Sequence, residues 1–504
     1  MSRSSTYSPL LLYLFPSSHF FSSCRYDEAR GSLGWTKGGF QGARGDDVGA
    51  EWYVENVFSL LDAPNEYFFD GAGEKLYYFH NGTGAPPADL AFEVPTLQTL
   101  AAIRGTQVDP VCNVSFHGVT FRDAAYTYME PHGVPSGGDW ALQRMGALFV
   151  EGAESVGVDS CLFTRVDGNA LFLSGYVRGA VVEKNEFVWT GDSVMASWGY
   201  TAPLGTDSAG DRILAQYKSG IDGTGGEQPR GTRVIGNLVH ELGHFEKQSS
   251  PWFQAKTAQT LLQGNIFYNM PRAGINFNDG FGGGSVVTEN LLWNTCRESS
   301  DHANFNSWDR QPFLTDVLDG TPSLTPAFNE IHHNFLIGND GAVNTIDNDD
   351  GSSWYRHHDN YLVYGGHKSN FGGHNKFSYN NINVNAKVYQ DGACLRVNAE
   401  NIGNYTDGYY NCTCVQDKDG LAAYSLRYCN ASDIGGSALP IIHDNRIFNP
   451  SGKMTVTCGN GHGTLITEEQ LQAAGKDPGT TVGKTPSVDT IINWGRLTLG
   501  IAQA

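Results

Sequence analysis

Three short segments carry an aspartate at one offset from an asparagine. They are Ile275-Asn276-Phe277-Asn278-Asp279, Phe305-Asn306-Ser307-Trp308-Asp309 and Val343-Asn344-Thr345-Ile346-Asp347. Aligned without gaps, they put Asn276, Asn306 and Asn344 in one column and Asp279, Asp309 and Asp347 in another. Phe253-Gln254 fits the same frame, with Gln254 on the Asn column and Lys256 beside the Asp column. On stacked parallel strands, carboxylates in such a column would lie near ~5 Å, or ~10 Å when one strand is skipped. Retaining glycoside hydrolysis needs about 5–5.5 Å between its two carboxyls and inverting hydrolysis about 6.5–9.5 Å. Carboxylates this close also drive each other's pKa values apart, leaving one protonated as the acid and one ionised. Asp309 and Asp347 are therefore expected to be the acid and the nucleophile or base, with Asp279 as the third carboxylate. Gln254, Lys256, Asn276 and Asn306 would orient substrate, with Arg310 in the same strip. Trp308, Trp354, Tyr355, Phe281 and Trp252 would offer rings to a sugar.

Asp349 and Asp350, in Asp347-Asn348-Asp349-Asp350-Gly351-Ser352, are equally good carboxylates by type. They could instead supply oxygen ligands to Ca2+; the chemistry needs no cofactor. Glu246, Lys247, Arg297, Glu298, Asp301, His302 and Arg310 crowd the same strip, in a chain with only 17% charged residues. The structural alternative is that Asp and Asn cap turns, and that stacked Asn side chains form ladders with no ligand.

His240-Glu241-Leu242-Gly243-His244 matches the H-E-x-x-H pattern of zinc proteases. That chemistry needs both histidines on one helix face. The preceding Gly231-Thr232-Arg233-Val234-Ile235-Gly236-Asn237 is hostile to helix and fits a strand repeat instead. The zinc reading is rejected. His332-His333, His357-His358-Asp359, His367 and His374 are read as surface or corner histidines, and Arg44-Gly45-Asp46 as a chance tripeptide.

The elements that would position these residues recur along the chain. From about residue 110 an apolar strand followed by an Asn returns at Asn185, Asn237, Asn265, Asn290, Asn334, Asn360 and Asn445. The gaps cluster near one period, and self-similarity of this kind marks a solenoid. Alternation of apolar and polar residues places Leu, Ile and Phe inside. Gly and Asn supply the left-handed corners. The expected fold is all-β: a right-handed parallel β-helix solenoid over 106–460, preceded by an antiparallel β module over 31–105. In that module Glu66-Tyr67-Phe68-Phe69-Asp70 and Lys75-Leu76-Tyr77-Tyr78-Phe79 flank a Gly-rich turn. Residues 1–30 stand apart as a weak signal-like segment, with Leu10–Phe15 cut short by Pro16. In 461–504, Thr467-Glu468-Glu469-Gln470 is a capping box that opens a single short helix.

The 504 residues carry 33 Lys and Arg against 53 Asp and Glu, a net charge of −20. Such a chain is a poor ligand for nucleic acid or anionic membrane. No run reaches the ~20 apolar residues of a membrane span. Nine cysteines, five of them in the C-terminal third, and sequons at Asn81, Asn113, Asn404, Asn411 and Asn430 point to a secreted, disulfide-bonded glycoprotein. An odd cysteine count leaves at least one thiol unpaired or paired elsewhere.

The segment Glu51–Phe79 resembles the strand-turn-strand module found early in β-helix glycoside hydrolases, and the repeats resemble the pectin-lyase-like β-helix superfamily. Pro271-Arg272-Ala273-Gly274-Ile275-Asn276-Phe277-Asn278-Asp279-Gly280-Phe281-Gly282-Gly283-Gly284 and Phe305-Asn306-Ser307-Trp308-Asp309-Arg310-Gln311-Pro312 look like hallmarks of an uncharacterised, eukaryotic-looking branch. The resemblance covers about residues 31–480. It implies a carbohydrate partner and a choice among glycoside hydrolase, polysaccharide lyase or uronan epimerase, and non-catalytic carbohydrate binding. Net charge disfavours polyanionic uronates unless Lys247, Lys256, Arg272, Arg297 and Arg310 make the site locally basic. The expectation is a glycoside hydrolase.

Overall fold

The computed structural model describes residues 56–128, 130–133, 142–200, 226–278, 283–299, 302–308, 327–370, 372–385, 393–401, 405–460 and 463–501, together with four short strand stretches before residue 55. The weak signal-like run Leu10–Phe15 and the Arg44-Gly45-Asp46 tripeptide lie almost wholly outside these residues.

Three long sheets dominate, of 14, 11 and 12 strands among the described residues, and the chain visits them in rotation. Leu148–Glu154 belongs to the first sheet, Gly157–Asp159 to the second and Leu162–Val166 to the third. Leu171–Arg178 then returns to the first sheet beside Leu148–Glu154. Neighbours in all three sheets are parallel, except where Thr464–Thr467 turns back antiparallel on Thr455–Cys458. The first sheet already includes Ala101–Arg104.

Period-two alternation decides which side chains go inside. Along the first sheet Met195, Trp252, Ile275, Phe305 and Ile346 stack in register, each no more than 1% exposed. In the third sheet Phe121, Phe163 and Phe187 stack with centroids 4.6 Å apart. That is close to the strand spacing, so each ring fills one layer.

The recurring asparagines form a buried ladder at the corner between the second and third sheets. Nδ2 of Asn185 donates to Oδ1 of Asn237 at 3.0 Å, and the same bond passes in turn to Asn265, Asn290, Asn334, Asn360 and Asn381. Each Oδ1 also accepts the preceding Asn backbone N–H, and each Nδ2 reaches a strand carbonyl, as Asn290 does to Leu262. The amide has the right number of donors and acceptors to satisfy a tight corner with no water.

At the N-terminal end Tyr67–Asp70 pairs antiparallel with Lys75–Tyr78, and Asp70 Oδ1 accepts the N–H groups of Ala72 and Gly73 in the turn. At the other end Thr467 caps the helix Glu468–Ala473 with the expected box: Gln470 Oε1 accepts the Thr467 N–H at 2.9 Å. A second helix, Val488–Thr498, was not expected. Its interior Gly495 and β-branched residues weaken the local signal, yet Gly495 is what lets it lie on Tyr361, whose ring a Cβ would meet at 2.7 Å.

Disulfides join Cys394 to Cys414 and Cys429 to Cys458. Of the cysteines crowded in the C-terminal third, Cys394, Cys414, Cys429 and Cys458 are bonded. Cys412 is a buried thiol. Among the described residues no helix is long and apolar enough to cross a membrane.

Candidate functional site

The outer face of the first sheet carries a polar column. Asn276 pairs with Asn306, Asn306 with Asp347, Asp347 with Lys368 and Lys368 with Arg396. The gapless alignment of the third segment is thus three residues out. Asn344 lies opposite Ala303, and Asp347 occupies the Asn column. The interior decides this, because Ile346 must fill the place above Phe305. An odd shift in a strand exchanges its faces, so Asn344 leaves the outer column and Asp347 joins it. Asp279, Asp309 and Arg310 lie outside the described residues.

Gln254 is corrected by the same logic. It pairs with Phe277 rather than Asn276, and the column position falls to Phe253. Its Oε1 accepts the Trp252 indole N–H at 3.0 Å in the buried space between the sheets, so it faces away from the outer surface. Lys256 follows Ala255, the partner of Asn278, and is only 4% exposed. Trp308 pairs with Asn278 and packs with Trp198, Phe253 and Ala255 in an apolar cluster on the outer face; it is 3% exposed.

Lys368 is the hub of the column. Its ammonium lies 3.1 Å from Asp347 Oδ1 and 3.4 Å from Asp349 Oδ1. Asp347 is fully buried, while the Asp349 side chain is 22% exposed. Asn370 Nδ2 donates to Asp349 at 2.7 Å and to Asp350 at 2.6 Å, and is itself held by Asn398 at 2.9 Å. The two Lys368 contacts cap the separation of the Asp347 and Asp349 oxygens at about 6.5 Å, a bound that includes the retaining spacing of about 5–5.5 Å. Among the described residues no three His, Cys, Asp or Glu side chains are arranged to hold a metal.

Beside this pair stands Asn306, 1% exposed, with neither its amide nitrogen nor its oxygen hydrogen-bonded to any of the described residues. A buried amide left so costs about 1–3 kcal/mol and calls for an explanation. The Asn344 amide is in the same condition. Asn276 differs, since its Oδ1 accepts from the buried Arg272 guanidinium, which also donates to Gln248 Oε1 at 2.6 Å.

Sequence reasoning passed over Lys368 and undervalued the acids at the corner from third to first sheet. Glu246 is buried, and burial pushes its carboxyl up to about 7, against the bonds it accepts from Gln248 N–H and Ser249 Oγ. Asp192, one layer back, is pushed well up by burial and then by Glu246. Lys368 could have been found by extending the column one strand further; nothing local to Asp192 distinguishes it. The rejected zinc motif is not helical: it starts at the end of the strand Leu238–His240, which pairs with Glu186–Thr190, and runs on through a corner from Glu241 to His244; the His240 ring stacks on Tyr268 at 4.9 Å.

No protein-family model and no curated protein matches the chain. Similar solved structures include one described as a glycoside hydrolase, with 15% identity and a TM-score of 0.46 over 71% of this chain and 57% of that one. Another is the complex of XylC with xylose, at 9% identity and a TM-score of 0.36 over 66% and 50%. The chain thus spans little more than half the length of either. Likeness this distant says nothing of the reaction.

Proposed function

We propose that the protein is a secreted, right-handed parallel β-helix that acts on carbohydrate as a glycoside hydrolase, with Asp347 and Asp349 as its paired carboxylates. One donates a proton to the leaving glycosidic oxygen; the other attacks the anomeric carbon or activates water. The observation that carries this reading is the Lys368 ammonium held between the two, beside the unbonded amide of Asn306. That amide has a donor and an acceptor to offer a sugar hydroxyl. Asp309 and Asp279, which follow Trp308 and Asn278 in sequence, remain candidates for a further carboxylate, and Arg310 for substrate contact. The two disulfides and the five sequons support secretion.

A second reading, a lyase or epimerase on uronate polymers, is favoured by Lys368 and Arg396 following Asp347 in the same column. A panel of plant and algal polysaccharides separates the two. Hydrolysis yields new reducing ends and saturated products, whereas a lyase leaves an ultraviolet-absorbing unsaturated sugar. Asp347→Asn and Asp349→Asn should each abolish sugar release, and Asp309→Asn assigns or removes Asp309. Full activity in the Asp347 variant would remove the assignment.

A further inference from the structure

The third sheet has its own groove, on a face separate from the Asp347 column. It measures about 1150 Å3 and is walled by residues from Glu93 to Phe245. Three successive strands build it with one device. Thr120–Ala124, Leu162–Val166 and Glu186–Thr190 pair in register except at Asp123, Arg165 and Trp189, which are skipped. All three have left-handed backbones, with φ of 58°, 51° and 59°. Left-handed geometry is costly for a bulky residue, roughly 1–2 kcal/mol; Glu241, Asn269 and Asn294 hold the same place in the next layers with φ of 51°, 56° and 51°, so the conformation belongs to the corner of the sheet. Here it sets Trp189 at the groove, 51% exposed, with the His244 ring stacked at 5.2 Å.

The charges of the groove are largely paired. Arg165 holds Asp123 at 2.7 Å and reaches Glu93 at 3.4 Å, Arg122 bonds both of these acids, and His240 lies 3.3 Å from Glu186. Burial raises the Asp167 carboxyl to about 6, so near neutrality it is chiefly an ionised acceptor and becomes a donor only in mildly acidic solution. A groove with an exposed indole, a few convergent polar groups and little uncompensated charge fits neither a polyanion nor a polycation.

We propose that this groove is a binding site for a neutral oligosaccharide, with the Trp189 indole as its platform and Asp167 and Glu186 bonding its hydroxyls. The site is independent of the proposed hydrolytic pair. Calorimetric titration of the full chain with cellohexaose, laminarihexaose and mannohexaose tests it. At least one should bind. Trp189→Asn and Asp167→Asn should each weaken it at least tenfold. Trp189→His, which keeps a ring and tolerates the left-handed backbone, should stay within about threefold, with melting temperatures unchanged. Asp347→Asn should bind as the parent does while losing any sugar release. The proposal is overturned if none of the three binds, if Trp189→Asn and Asp167→Asn bind normally, or if only Asp347→Asn abolishes binding.

Discussion

The Lys368 ammonium sits 3.1 Å from Asp347 and 3.4 Å from Asp349, on the strand next to the one that carries Asp347. Asp347 is fully buried in this state, so this lysine compensates its charge. The pairing ties the chemistry proposed for the site to the stability of the sheet.

Lys368→Met should therefore destabilise the protein by about 3–5 kcal/mol, the cost of stranding a buried charge. Adding Asp347→Asn should recover part of that loss by removing the stranded charge. Urea unfolding of the single and double variants measures both; a single variant within about 1 kcal/mol of the parent would show that Asp347 is not dependent on Lys368.

The corner ladder predicts a different loss. Asn290 gives Nδ2 bonds to Leu262 and Asn334 and takes two bonds from Asn265, all buried. Asn290→Leu should cost upwards of about 3 kcal/mol, at roughly 1 kcal/mol for each bond lost plus the donors left unsatisfied. Asn294→Ala, at a partly exposed corner, should cost less than half as much. Thermal unfolding of the two variants side by side tests the contrast.

Glu246 makes stability depend on pH in a defined direction. Its folded pKa of about 7 lies above the usual 4.5. The folded state therefore holds its proton more tightly than the unfolded chain. That contribution is complete below about pH 4.5 and is lost as pH rises towards and through 7, amounting to about 3 kcal/mol. Asp167, raised to about 6, and Asp192, raised well above its usual range, act with the same sign. Glu246→Gln should be less sensitive than the parent between pH 4.5 and 7.5, so the gap between them should widen in the variant's favour as pH rises. Parallel stability curves for the two proteins would contradict the shift.

Much of the architecture is written in the chain, because long parallel sheets built from repeats are specified by local repetition. The asparagines from 185 to 360 mark one corner, and each copy carries its own apolar residues for the layer it builds. The box at Thr467 and the turn between Asp70 and Lys75 are likewise short-range features that need no distant partner. The strand nature of His240 is legible for the same reason, since the glycine and β-branched residues before it exclude a helix.

Register is another matter. Asn344 and Asn306 look equivalent in sequence, yet the interior place above Phe305 had to be filled by Ile346, and that requirement moved Asp347 into the Asn column. Gln254 was turned inward by the same competition between neighbouring layers. Lys368 and Asp349 meet only because two strands 21 residues apart pair, as Asp347 does with Lys368. The amino-acid pattern determines that strands form and which residue types they bury, through energies that act within each repeat. Which outward side chains stand together depends on how whole layers pack over one another, and that was decided only when the coil closed.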